Sequence, residues 1–406
     1  MEDSWRIRDL SDDDAKLSME QILIDSSVSI KNHLFCPSLL SSLSPSPASL
    51  ESLSVLIPVS SDLKGQLESI IQSFKSPIRY AIAYGSGVFT QKSYSSQQTP
   101  MLDFIFAVSH PNHWHSLNLY HHPHHYSLPS RLIGSSAISW LQERGPGAGI
   151  WYNVESKIND RIIKYGIVSI DTLCNDLLDW NTLYLAGRMH KPTYILQDNA
   201  RIRLAQQVNL ASALRTALLF LPERFDEVEL YCTIAGLSYI GDFRMRWGEN
   251  PKKVDNIVWA QLEHFRILYE PLISSLRNHL QTVKQSPDLG QQAFYQDRSP
   301  QALAELLKKL PIRLKDKTLK NFDCHRNFNT VKVEDLDDQG KADTTNEMEH
   351  LLTIAEDSMF ENFLRSALIE IIKKPSLNQS IKGILSAGPL KSFRYVIPKI
   401  KKRWNI

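Results

Sequence analysis

Alternating apolar and polar positions predict two β-strands on either side of a glycine turn. The β-prone run Ile78–Tyr84 stops at Gly85, and in the run Leu102–Val108 successive side chains point to opposite faces. On the second strand, Asp103 shares its face with the smaller residues, whereas the aromatic residues lie on the other face. The pattern therefore places a carboxylate beside the turn.

The pattern farther along the chain predicts two more strands and then mainly helices. The strands cover residues 150–154 and 161–170. Apolar residues at helical spacing predict helices near residues 63–74, 173–185, 199–221, 253–280 and 348–374. The second of these helices is expected to stop at Gly187. The fold class predicted from this order is α/β followed by α.

Composition divides the chain into five successive parts. Residues 1–60 combine an acidic start with a Ser/Pro-rich tract, which predicts a poorly ordered extension. An α/β domain at 61–198 and a helical domain at 199–330 follow. Residues 331–347 are predicted to form an acidic loop, and residues 348–406 a helix with a basic segment after it.

Charge and cysteine usage exclude several classes of protein. The chain has 46 Lys and Arg against 44 Asp and Glu, so no global field draws it to nucleic acid or lipid. Its four cysteines form no CxxC pair, which argues against a disulfide framework or a zinc ribbon. No apolar run approaches the ~20 residues that cross a bilayer. The acidic first residues are atypical of a transit peptide.

The turn Gly85-Ser86-Gly87 is the first candidate for chemistry. Glycines allow backbone N–H groups to face an anion, and Ser86 can add a hydroxyl, which suits a triphosphate. A carboxylate such as Asp103 beside bound phosphates makes sense chiefly when a divalent cation lies between them. This combination indicates nucleotidyl transfer. An ordinary turn beside a solvated carboxylate is the alternative.

Three basic positions later in the chain are candidates for binding phosphate. Lys164 interrupts an apolar run, where a buried ammonium needs an anion, either a carboxylate or a phosphate. Arg188 and Lys191 follow a predicted helix end, where they could serve the helix dipole or an anionic substrate. Arg244 lies in a connector rich in charges and aromatic residues, for which an exposed turn is the alternative.

Seven of the 13 histidines lie between His110 and His125. A zinc site is disfavoured, because neither a cysteine partner nor an HExxH helix is present. We expect a few of these histidines to line the nucleotide cleft and the others to be solvated.

The C-terminal segment is strongly basic, in contrast to the acidic residues before it. From Ile371 to Ile406 there are nine Lys or Arg residues and no Asp or Glu, mixed with aromatic residues. Such a segment can lie on an anionic membrane surface, although nucleic acid or simple solvation would fit the charge as well. The residues predicted to contact the membrane are Lys391, Phe393, Arg394, Tyr395, Lys399, Lys401, Lys402 and Trp404.

Several motifs occur together in a fixed order. They are YGSGVF, MLDFIFAV, WHSLN followed by HYS, IKYGIVS, DLLDWNTLYLAGRMHKP, NLASAL and LSYIGDFRMRWGENPKKVDNIV. With them the chain resembles the mitochondrial phosphatidate cytidylyltransferases, the translocator assembly and maintenance proteins that act as CDP-diacylglycerol synthases. The resemblance runs from about Ile78 to Ile257 and resumes in the basic tail, whereas residues 1–75 carry none of it.

The resemblance implies a DNA polymerase beta-like nucleotidyltransferase domain, a helical, winged-helix-like domain, and an amphipathic basic C-terminal segment that touches the membrane. It also implies that CTP and phosphatidic acid give CDP-diacylglycerol and pyrophosphate, with Mg²⁺, for cardiolipin synthesis. The implied location is peripheral, on anionic lipids at the matrix side of the inner mitochondrial membrane, and no nucleic acid partner is expected.

The resemblance also suggests roles for individual residues. Gly85, Ser86 and Gly87 match the nucleotide-binding turn, and Asp103 matches the metal-binding, catalytic carboxylate. The chain departs from the superfamily pattern at Ile105, where a second Asp is usual, so either phosphate oxygens and water fill the metal's coordination shell or a carboxylate comes from elsewhere in the chain.

On chemical grounds, Lys164 is assigned to catalysis and to the triphosphate, and Arg188, Lys191 and Arg244 to the lipid phosphate. Two other functions remain open. One is a nucleotidyltransferase that acts on RNA or protein, and the other is a non-enzymatic assembly factor for inner-membrane translocases.

Overall fold

A five-stranded mixed sheet carries the residues predicted to do chemistry. The computed structural model describes residues 57–89, 100–247, 250–283, 292–329 and 344–388. The strands are β1 Tyr80–Tyr84, β2 Leu102–Val108, β3 Trp151–Ile158, β4 Arg161–Ser169 and β5 Tyr194–Gln197, in the order β3-β4-β2-β1-β5. β2 runs parallel to β4, and the other neighbours are antiparallel. The predicted strands are thus confirmed, and β2 has the predicted bounds.

The sheet separates two hydrophobic cores, as the alternation in β2 predicts. Phe104 and Phe106 pack with Phe74 and Trp114 on one side. That side also holds α1 Ser61–Gln72 and α2 Pro111–His121, and α3 Leu128–Glu143 follows α2 in the chain. Ile105 belongs to the larger core on the other side. Asp103 therefore faces the side on which the second half of the chain packs.

The predicted helix near 173–185 is shorter than expected. Helix α4 covers Ile170–Asp179 and ends because Trp180 adopts a left-handed conformation with φ +56°. A separate short helix, α5, covers Ala186–Met189. The intervening loop contains Leu183, which is also left-handed with φ +53°. The prediction of one helix that stops at Gly187 is therefore wrong.

The second half of the chain is mainly helical but includes a small sheet. Its helices are α6 Ala200–Phe220, α7 Glu227–Gly236, α8 Phe243–Trp247, α9 Lys253–Ala260, α10 Leu262–Ser275, α11 Pro300–Lys308 and α12 Ile312–Asn329. Three short antiparallel strands, β6 Arg224–Asp226, β7 Leu280–Val283 and β8 Ala293–Gln296, pair in the order β6-β8-β7. The sequence pattern did not predict these strands. A mixed α/β fold with a mainly helical second half is confirmed at this level.

The chain's last described part forms two helices where one was predicted. α13 covers Thr344–Glu356, so it takes up the end of the predicted acidic loop, and α14 covers Phe360–Ala387. α14 continues 13 residues beyond Lys374 although Pro375 lies inside it. Within the described residues, no helix is long and apolar enough to cross a membrane. Most of the predicted N-terminal extension, residues 331–343 and the tail after Gly388 lie outside the described residues.

Candidate functional site

The glycine turn after β1 is pressed against the strand that carries Asp103. The carbonyl oxygen of Gly85 accepts hydrogen bonds from the N–H groups of Val88 at 3.1 Å and Phe89 at 2.9 Å, and Gly85 has φ +82°. A Cβ atom at Gly85 would lie 3.3 Å from Asp103 Oδ2, and one at Gly87 would lie 2.5 Å from the backbone oxygen of Met101. Both glycines are therefore required by conformation or by close approach.

Asp103 and Lys164 face each other across the parallel strands β2 and β4. They are register partners, and Asp103 Oδ1 lies 3.4 Å from Lys164 Nζ. Asp103 Oδ1 is buried and accepts no hydrogen bond, so it remains available to a cation. Within the described residues, no three His, Cys, Asp or Glu side chains are placed to hold a metal ion. A cation at Asp103 would need its other ligands from phosphate oxygens and water.

A cluster of three tyrosines holds Arg188 close to this pair. The Arg188 guanidinium lies 5.1 Å from the ring centre of Tyr84 and 5.0 Å from that of Tyr184, and its Nη1 lies 3.5 Å from the hydroxyl of Tyr152. Lys164 Nζ lies 4.7 Å from the Tyr152 ring. Tyr152 therefore lies between Lys164 and Arg188 and brings these two predicted residues together. The sequence pattern had placed Tyr152 only in a strand.

The electrostatics around Tyr184 indicate an anion site. Burial by itself would raise the pKa of Tyr184, but the nearby cations Arg188, Arg244 and Lys164 outweigh burial and lower it. Burial raises the pKa of Tyr84 well above its usual range, so this phenol stays neutral. Among the described residues, Lys164 pairs with Asp103 and Arg244 with Asp242, whereas the contacts of Arg188 are with tyrosines, so a bound phosphate would supply a counter-charge for Arg188.

Arg244 enters the same pocket from the second half of the chain. Its Nε lies 3.0 Å from Oδ1 of the buried Asp242, its Nη2 lies 2.5 Å from Oδ2, and its guanidinium lies 6.0 Å from the Tyr184 ring. The pocket has a volume of about 400 Å³ with its open mouth, and Ile372 and Ser376 of α14 form one wall. Its other lining residues are Thr182, Leu183, Tyr184, Arg188, Lys191, Ser238, Tyr239, Asp242 and Arg244.

Lys191 lines the pocket but is bound to protein atoms. Its Nζ donates to the carbonyl oxygen of Gly187 at 2.7 Å, to that of Ala235 at 3.3 Å and to the Ser238 hydroxyl at 3.0 Å. Burial lowers the pKa of this ammonium to about 8. Because its three hydrogens have protein acceptors, Lys191 connects α5 to α7. Its predicted contact with a lipid phosphate stays a prediction that this geometry does not favour.

Asp176 organises the loop that leads from α4 to Arg188, and sequence reasoning missed it. Its Oδ1 accepts from the N–H groups of Thr182 at 2.7 Å and Leu183 at 3.1 Å, and its Oδ2 accepts from those of Leu185 at 2.9 Å and Ala186 at 3.1 Å. The carboxylate is buried. Its bonds hold the left-handed turn that places Tyr184 in the pocket. No local motif identifies such a carboxylate, because its partners follow it by six to ten residues.

The histidine-rich segment packs largely behind the sheet. His115 lies 2.8 Å from the Tyr126 hydroxyl and 2.9 Å from Gln142 Oε1, and burial lowers its pKa to about 4. His125 lies 2.8 Å from the hydroxyl of Tyr165, which belongs to the core on the side opposite Asp103. The expectation that these histidines line the nucleotide cleft is therefore wrong for His115 and His125.

The eight predicted membrane-contact residues, from Lys391 to Trp404, lie outside the described residues. Their role stays a prediction.

Comparisons with known proteins match most of the chain. Residues 67–402 match the family model described as phosphatidate cytidylyltransferase, mitochondrial. A Schizosaccharomyces pombe protein of that name is 37% identical over 352 residues, which is 84% of each chain. Proteins of the same name from Xenopus laevis and Danio rerio are each 39% identical, over 85% and 83% of this chain and 96% and 94% of their own.

Proposed function

The chain belongs to the mitochondrial phosphatidate cytidylyltransferase family, and from this premise we propose how its site transfers the cytidylyl group. The reaction joins CTP and phosphatidic acid to give CDP-diacylglycerol and pyrophosphate, a product consistent with cardiolipin synthesis. The observation that supports the site assignment is the link from Asp103 and Lys164 through Tyr152 to Arg188. The site thus combines one carboxylate with several cations, which is what bringing the phosphates of CTP and of phosphatidic acid together requires.

The triphosphate is proposed to bind at the turn and the first strands. Backbone N–H groups around Gly85 and the Ser86 hydroxyl face the phosphates, and Lys164 offsets their charge. Mg²⁺ fits beside Asp103, whose Oδ1 lacks a hydrogen bond, and would neutralise charge on the α-phosphate and the leaving pyrophosphate. Because the buried Ile105 provides no second carboxylate, phosphate oxygens and water would have to complete the ion's coordination. The turn, sheet and carboxylate are the features that support a polymerase beta-like nucleotidyltransferase fold.

The phosphate of phosphatidic acid is proposed to bind in the pocket between Arg188 and Arg244. A phosphate oxygen of this lipid attacks the α-phosphorus of CTP, and the bond from that phosphorus to the bridging oxygen of the leaving pyrophosphate breaks. The nucleophile is already ionised, so no strong general base is required. The arginines instead offset repulsion between two anions and align them. Arg244 stays paired with Asp242, which fixes its orientation.

Peripheral attachment at the matrix side of the inner membrane is proposed from the C-terminal part. The relatives are named mitochondrial. On α14 the exposed Leu377, Ile381 and Ile384 follow Lys373 and Lys374, also exposed, and the basic segment continues the chain. The second half, with its small three-stranded sheet, is proposed to be winged-helix-like.

The test is transfer of label from α-labelled CTP into a chloroform-soluble product. Labelled lipid that requires phosphatidic acid and Mg²⁺ is the expected result. Label in RNA or protein would instead indicate a different nucleotidyltransferase, and absence of transfer by folded protein would favour a non-enzymatic assembly factor. Lys164→Ala is the informative variant, and Lys157→Ala, a solvent-exposed lysine on the adjacent β3, is its matched control.

A further inference from the structure

Helix α3 exposes large apolar side chains before and after a kink at Gly134, and together these side chains are called its outer face. Leu128, Leu132 and Trp140 are 66%, 79% and 57% exposed, and Ile133 is 46% exposed. The inner face carries the buried Ser130, Ile138, Ser139 and Gln142. We propose that this outer face is a contact surface for an anionic lipid bilayer. The inference rests on the proposed function, because a bilayer is where an enzyme of phosphatidic acid meets its substrate.

The last described residues of the chain pack against the buried, N-terminal end of α3. Gly388, the last described residue, packs against Ser127, the N-cap of α3, since a Cβ atom there would lie 3.5 Å from the Ser127 Cβ. The Ser130 hydroxyl also donates to the carbonyl oxygen of Ser386 at 3.4 Å. Residues 389–406, with six Lys or Arg and no Asp or Glu, follow Gly388 in the sequence.

A chain that has both an apolar helix face and a polybasic segment has the two signals that together hold a peripheral protein on anionic lipid. The helix adds Arg131 and, at its C-cap, Arg144, against the single acid Glu143. Trp140 is suited to the interface, where its ring can lie among headgroups. This charge favours an anionic bilayer over an apolar protein partner.

The inner side of α3 contacts α14. Lys382 Nζ on α14 lies 3.4 Å from the carbonyl oxygen of Leu141, to which it donates. Gly134, with φ +77°, is non-helical and separates the half of α3 that carries Leu132 from the half that carries Trp140.

The first test measures sedimentation of the full-length protein with phosphatidylcholine vesicles that contain phosphatidic acid. Leu132→Gln should weaken partitioning about tenfold, since it removes one buried apolar side chain from the interface. Leu204→Gln is the matched control, because Leu204 is 51% exposed on α6, and it should partition as the unmodified protein does. Equal partitioning of both variants would overturn the proposal.

The second test uses brominated acyl chains in the same vesicles. The emission of Trp140 is obtained by subtracting the spectrum of Trp140→Phe from that of the unmodified protein, and the brominated lipid should quench it. The control is Trp259 on α9, which is 52% exposed. Its emission, obtained in the same way with Trp259→Phe, should not be quenched. Absence of Trp140 quenching would overturn the proposal. A blue shift of Trp140 emission without vesicles would also overturn the proposal. If the shift required residues 389–406, the tail would cover the face, and if it grew with protein concentration, a second copy of the chain would cover it.

Turnover of a water-soluble short-chain phosphatidate separates this proposal from the proposed function. Leu132→Gln should leave that turnover unchanged. If Leu132→Gln binds vesicles less well but still turns over the short-chain lipid, the membrane face is supported. If the unmodified protein binds vesicles through α3 but turns over no lipid, only the proposed catalytic site is contradicted.

Discussion

Replacement of Asp176 by Asn should loosen the pocket without touching a substrate. The carboxylate oxygens accept at least two backbone hydrogen bonds each, at distances of 2.7 to 3.1 Å. In Asn an amide NH₂ replaces one oxygen, so at least two buried N–H groups lose their acceptor and face another donor. Each such group costs about 1 to 3 kcal/mol, which predicts a loss of about 2 to 6 kcal/mol. Urea unfolding measures it.

The matched control is Asp171→Asn on the same helix. Asp171 is exposed and pairs with Arg201 at 2.5 Å, a surface ion pair that contributes below about 1 kcal/mol. Because the loop after Asp176 carries Tyr184, Asp176→Asn should also raise KM for phosphatidic acid more than KM for CTP. Equal unfolding midpoints for the two variants, or an unchanged KM for phosphatidic acid, would refute the assigned role.

Four further outcomes are expected. Asp103→Asn should abolish label transfer from CTP while the protein still unfolds cooperatively in urea, and full turnover in Mg²⁺ would contradict the metal role. Lys164→Ala should weaken CTP binding about tenfold or more and Ser86→Ala less, and unchanged calorimetric affinity at Lys164 would leave only a salt bridge. Deletion of residues 391–404 should remove salt-sensitive vesicle binding and spare CTP binding; salt-independent binding would contradict it. The free energy of unfolding should fall by up to about 3 kcal/mol as the pH drops from 6.5 to 4, because the pKa of His115 is lower in the folded protein than in the unfolded chain. His115→Gln should make the free energy of unfolding less dependent on pH, and an unchanged dependence would show that another group causes it.

Local patterns were sufficient for the strands and the turn but not for their pairing. Period-2 alternation placed Asp103 on the correct face of β2, and an ammonium in an apolar run marked Lys164. That these two residues are register partners follows from the parallel pairing of β2 and β4, which are separated by about 60 residues of sequence. No pattern within either strand encodes that register.

The end of α4 shows why the pocket could not be predicted from the sequence. Gly187 is the usual type of helix-stop signal, but the helix ends at Trp180 in a conformation that favours glycine. The Trp180 indole N–H donates to Asn209 Oδ1 at 2.8 Å, a tertiary contact with α6. Asp176 holds the other side of the loop. Long-range contacts thus override the local preference and create the wall that carries Tyr184.

The last helix connects the pocket to the proposed membrane face. Pro375 predicts a break, yet α14 continues because Gln379 accepts from the Ala148 N–H and donates to the Ile150 carbonyl oxygen, both at 3.1 Å. Ser376 lines the pocket and Ser386 contacts α3, and the ten helical residue steps from one to the other span ~15 Å. Because one helix joins the two positions, the pocket and the start of α3 keep a fixed separation. A lipid bound at the pocket and a bilayer held at α3 would therefore have to satisfy the same spacing.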